Sequence, residues 1–103
     1  MFTVHYSPAA QRDVREIIQY IAVNLGNPIA AEKLLKEIQK TTEIMASFPL
    51  AFPVCEIKRP LRHQYRKAVT QKYLIIYWVD NSKKTIRIFR IVHGSRDYRT
   101  VLE

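Results

Sequence analysis

A chain of 103 residues with 48% hydrophobic side chains can bury one core of modest size, so residues 1–103 are expected to form a single domain. Charged residues make up 25% and only two residues are glycine, a composition that excludes disorder, collagen-like repeats and low-complexity linkers. The net charge of +8 is unevenly placed: residues 1–50 carry five basic and five acidic side chains and residues 51–103 twelve and four, so the whole excess lies in the second half.

Phe2, Val4 and Tyr6 alternate with Thr3, His5 and Ser7, which predicts a short strand with one face inward. The period then changes. Ser7-Pro8 is a helix start, because the serine oxygen accepts an orphan amide proton and proline has none to lose. Val14, Ile17, Ile18, Ile21 and Leu25 follow at helical spacing, and Gly26 suits the left-handed position that closes the helix. Asn27-Pro28 repeats the start signal, and Ala31, Leu34, Leu35, Ile38 and Met45 form the apolar stripe of a second helix. The link between the two helices is so short that they should pack as an antiparallel hairpin.

Phe48-Pro49 and Phe52-Pro53 end the second helix, and a connection without regular structure is expected to about Leu61. Tyr65–Val69 reads as a short strand. Tyr73–Val79 reads as a central strand, being almost continuously apolar, β-branched and aromatic. Asp80-Asn81-Ser82-Lys83 makes a turn into a third strand over Thr85–Val92. Arg87 and Arg90 lie three apart on it, so a strict pleat sends them to opposite faces and only a bulge would reconcile them. Residues 97–102 form a short tail, expected to be a helical turn. The fold class is therefore α+β: an N-terminal strand, an antiparallel helical hairpin and a three-stranded antiparallel meander, with the helices on one sheet face.

Several function classes drop out. The longest apolar run, Leu74–Val79, is far short of the roughly 20 residues of a membrane span, and the N-terminus lacks the pattern of a signal peptide. Cytoplasm is the expected compartment. Cys55 is the only cysteine and reads as a small, part-buried loop residue. There is no phosphate-binding glycine loop, serine elbow, dinucleotide fingerprint or metal-binding run, and His5, His63 and His93 are far apart in sequence, so neither metal nor cofactor is expected.

What remains is a basic set interleaved with aromatics, from Arg62 through Tyr65, Arg66 and Lys67 to Arg87, Arg90, His93, Arg96, Tyr98 and Arg99. Guanidinium and ammonium groups bind phosphate, and aromatic rings stack on unpaired bases. A metal-free ribonuclease needs a base, an acid and a phosphate clamp; His93, Lys67 and Tyr98 are candidates for proton transfer, and Arg66, Arg90 and Arg96 for the clamp. Each has a plainer reading beside it. Tyr65, Tyr73 and Tyr77 suit core or rim positions in strands, Lys83 and Lys84 a solubilising turn, and Asp97 an ion pair with a nearby arginine. His93, just before a glycine, divides between capping and function.

Tyr65-Arg66-Lys67-Ala68-Val69, the Tyr73–Val79 strand and the ending Arg90-Ile91-Val92-His93-Gly94-Ser95-Arg96-Asp97-Tyr98 resemble the RelE/ParE superfamily of bacterial type II toxins over nearly the whole chain. The "arginine, two apolars, His-Gly-x-Arg-Asp" ending looks like the ParE branch. The resemblance implies a growth-inhibiting, plasmid-stabilising toxin held in a hetero-oligomer by a cognate antitoxin with an acidic C-terminal segment. Arg62, Tyr65, Arg87 and Arg99 are then the candidates for contact with antitoxin or target. ParE-like members poison DNA gyrase; RelE-like members cut messenger RNA on the ribosome without metal. The RelE pattern carries over incompletely, with Ala68 where that branch keeps a lysine, Leu74 in place of an arginine and Leu102 near its stacking tyrosine. Gyrase poisoning is the preferred expectation, ribosome-dependent RNA cleavage the alternative, and a plain basic nucleic-acid-binding module the third.

Overall fold

The computed structural model describes residues 1–102. β1 (Thr3–Tyr6) leads into α1 (Pro8–Gln19), a π-helical turn (Tyr20–Asn24) and α2 (Pro28–Ser47), and then come β2 (Tyr65–Thr70), β3 (Tyr73–Asp80), β4 (Thr85–His93) and the short α3 (Tyr98–Leu102). The four strands form one sheet in the order β1-β4-β3-β2. The meander is antiparallel, as the sequence predicts, while β1 pairs parallel with β4, with Val4 opposite Ile86 and Tyr6 opposite Ile88.

Both helix starts form as read. The Ala10 N–H donates to Ser7 Oγ at 3.0 Å and the Ala30 N–H to Asn27 Oδ1 at 3.1 Å, each relieving one orphan donor of a first turn. Gly26 closes the first helix at φ +60°. Leu25 departs from the expected stripe. The Leu25 N–H bonds the Tyr20 carbonyl five residues back, and this wider turn takes the apolar positions out of phase, leaving Leu25 58% and Val23 70% exposed. Leu35 is also off the buried stripe of α2, which runs through Ala31, Leu34, Ile38, Thr42 and Met45.

The helices cover one sheet face, burying Ala68, Ile75, Tyr77, Ile86, Ile88 and Ile91 against Ala10, Leu34, Ile38 and Met45. Each large aliphatic side chain removed from water there contributes about 1.5–3 kcal/mol. Tyr77, fully buried, keeps its hydroxyl satisfied by donating to the Pro49 carbonyl at 2.8 Å.

The opposite face has its own cover. Cys55, Leu74, Ile76, Val92 and Leu102 form a second buried cluster, closed by Ile57 and Leu61 of the long connection and by Tyr98 and Val101 of the tail. The connection is anchored to the β2 edge, with Cys55 N–H donating to Tyr65 O at 2.8 Å and Lys67 N–H to Pro53 O at 3.0 Å. A proline-rich stretch thus adds a scrap of pairing to an edge strand without a periodic pattern that would announce it.

β4 carries the bulge that its two arginines require. Ile76 pairs with Arg90 but Tyr77 with Ile88, leaving Phe89 as the extra residue, so Arg87 and Arg90 register with Trp78 and Ile76 on one face. Ser7 fastens this bulge: besides capping α1, its hydroxyl donates to the Phe89 carbonyl at 2.7 Å.

Candidate functional site

Beyond Ile88, β4 has lost its β1 neighbour, and Asp13 of α1 takes over its edge. The Asp13 carboxylate accepts the Ile91 N–H at 2.9 Å and a two-pronged guanidinium from Arg90, at 2.7 Å to Nε and 3.0 Å to Nη2. This hydrogen bonding holds the Arg90 guanidinium still more firmly protonated than usual. Arg87 pairs with Asp80 at 3.3 Å, and Arg99 chelates Asp97 at 3.0 and 3.2 Å. The Asp80 carboxyl sits below the ordinary carboxylate range because the Ser82 hydroxyl, the Lys83 N–H and Arg87 all donate to it. Asp97 is held low in the same sense by the guanidinium and backbone N–H of Arg99. All three aspartates of the chain are thus engaged with arginines.

Arg66 registers with Tyr77 and Lys67 with Ile76, so these neighbours leave β2 on opposite sides. Arg66 staples the connection by donating to the Phe52 carbonyl at 2.8 Å. Lys67 places its ammonium 4.3 Å from the centre of the Tyr98 ring, and the Tyr98 hydroxyl accepts the Glu56 N–H at 3.2 Å. These two residues clasp the cover of the second cluster. His93 is exposed, with its Nδ1 taking the Ser95 N–H at 3.1 Å and lying 2.7 Å from Ser95 Oγ.

Two groups of cations with no partner among the described residues lie at opposite ends of the meander. Lys72 and Arg96 flank His93 at one end of the meander, where the Gly94 N–H donates to Lys72 O at 2.7 Å. Arg59 and Arg62 lie at the other end, beside His63, whose ring stacks on Trp78 at 3.5 Å with 6° between planes. Five residue steps of β2, about 16 Å, separate the ends. Tyr65 belongs to the second group, meeting His63 edge to face at 6.0 Å and Phe89 at 5.1 Å. Of the proton-transfer and clamp candidates, Lys67 meets Tyr98 and the Arg96 N–H donates to the His93 carbonyl, while Arg66 leaves from the other face of the sheet and Arg90 is committed to Asp13. Among the described residues no group of three or more His, Cys, Asp or Glu comes together to hold a metal.

An apolar groove of about 640 Å³, floored by Val4 and Tyr6 and walled by Val14, Leu35, Ile38 and Thr42, runs between β1 and the helical hairpin. Leu35, 42% exposed, lies on its rim. Sequence periodicity places Leu35 in the core and so hides the groove; the signal that could have found it is the breadth of the α2 stripe, which carries Leu34 and Leu35 side by side.

The chain belongs to the ParE toxin family of type II toxin–antitoxin systems (parDE), whose model matches residues 4–98. Its fold is similar to that in the chromosomal ParDE system from P. aeruginosa (TM-score 0.69, 19% identity, 90% of this chain and 96% of that one). It is also similar to a metal-bound toxin from Helicobacter pylori (0.65, 18%, 92% and 97%). The archaeal RelE–RelB complex from Pyrococcus horikoshii supplies a third such chain (0.63, 16%, 93% and 98%). No curated protein matches the chain in sequence.

Proposed function

We propose that this type II toxin arrests growth in the cytoplasm by ParE-like poisoning of DNA gyrase, and that a cognate antitoxin neutralises it. The observation that supports this reading is membership of the ParE family together with the engagement of two clamp candidates elsewhere, Arg66 on the Phe52 carbonyl and Arg90 on Asp13: a protein–protein inhibitor needs surfaces, not a converging base, acid and clamp. Two kinds of surface are present. The largely apolar groove between β1 and the hairpin, with Arg15 in its lining, suits the apolar face of a partner helix, and the unpaired cations at the two ends of the meander suit an acidic segment that orders on binding.

The test is direct. Purified toxin, gyrase, ATP and supercoiled plasmid should yield cleaved plasmid, and growth arrest on expression should be relieved by an adjacent reading frame with an acidic C-terminal half. Intact plasmid over a wide toxin range, with messenger cut only when ribosomes are present, would replace gyrase with the ribosome.

A further inference from the structure

The Arg59–Tyr65 corner closes the second cluster with Leu61 and Tyr65 but lies outside the ion pairs and the groove. An open pocket of about 270 Å³ is lined there by Val54, Ile57, Arg59, Arg62, His63 and Tyr65. It is lined by His63 but not by Trp78, which stacks on the imidazole from behind. Trp78 thus backs His63 in parallel contact at 3.5 Å, and Tyr65 stands nearly perpendicular to the imidazole at 80°. Together the three rings form an aromatic corner. Two arginines at its mouth have no partner among the described residues, and the charge of Arg62 is felt at Tyr65, where it opposes the upward push of burial on the phenol.

From this juxtaposition we propose that the pocket takes one unpaired base of a single-stranded nucleic acid, stacked on the outer face of His63, with the flanking phosphates on Arg59 and Arg62. An acidic peptide would satisfy the arginines but leave the flat ring face without a partner, and a duplex has no base free to enter. The site is separate from the tail cations around His93 and does not depend on the gyrase reading, because its test contains no gyrase.

Trp78 is the sole tryptophan and sits directly beneath the stack, so its fluorescence reports occupancy. The full-length toxin is titrated with dodecathymidylate, dodecauridylate and a blunt, fully paired DNA duplex of two GC-rich hexamers, which carries about as many phosphates. The single strands should change the emission saturably and bind more tightly than the duplex; which of the two binds better distinguishes DNA from RNA. His63→Ala should weaken binding about five- to hundred-fold, the worth of one stacked base, while His63→Phe, which keeps a ring, should retain it. Arg59→Ala and Arg62→Ala should each lower the slope of log affinity against log salt by roughly 0.7. Equal affinity of His63→Ala and wild type, or of duplex and single strand, overturns the proposal.

Discussion

Replacing Asp13 by alanine removes one carboxylate and three hydrogen bonds at once. The Ile91 N–H is left unpaired on the β4 edge, and the Arg90 guanidinium, only 27% exposed, loses its counter-charge, which was itself 12% exposed. A deserted buried N–H costs about 1–3 kcal/mol and a broken buried ion pair about 3–5 kcal/mol. Arg90 retains a quarter of its surface in water and the N–H can recruit solvent at an edge, so the combined loss should be about 2–4 kcal/mol. For a domain of this size that corresponds to a fall in melting temperature on the order of 10–25 °C. Asp13→Asn keeps one acceptor and should lose roughly half as much. The assay is thermal and urea unfolding of wild type, Asp13→Ala, Arg90→Ala and the double variant, read as a double-mutant cycle. If Asp13→Ala shifts the melting temperature by less than about 5 °C, or the two single losses simply add, Asp13 is not holding the end of β4.

Two other consequences can be measured. Tyr98→Ala removes the clasp between Lys67, Glu56 and the tail, so buried Cys55 should react with a thiol reagent roughly ten-fold faster, the effect of about 1.4 kcal/mol less holding the cover shut; an unchanged rate refutes the clasp. Burial pushes the Tyr77 phenol up to about 12, above its ordinary value near 10, so the unfolded chain releases this proton first and stability should be lost as pH rises from about 10 through 12. Tyr77→Phe should flatten that alkaline decline, and an equally steep decline in the variant would show that other groups cause it.

The elements were legible because each is written in local chemistry. Ser7-Pro8 and Asn27-Pro28 start helices through caps within three residues, and Tyr73–Val79 is too apolar and β-branched for anything but a covered strand. Even the bulge at Phe89 was foreshadowed by two arginines that a regular pleat would have split. The family resemblance rested on contiguous residues for the same reason.

The candidate site was less legible, since a cation's role depends on which carboxylate reaches it and sequence distance says nothing about that. Asp13 and Arg90 are 77 positions apart, and only the packing of α1 beside the free end of β4 makes them partners. His63 lies in a proline-bounded connection with no period, so its stacking on Trp78 follows from how that loop folds back over the sheet. By itself the sequence determined the order and kind of the elements and the location of the excess charge, because caps, turns and periodicity act over a few residues. The tertiary structure decided which of those charges stay free and which apolar side chains stay uncovered, because pairing and burial are settled between segments that meet only when the sheet closes.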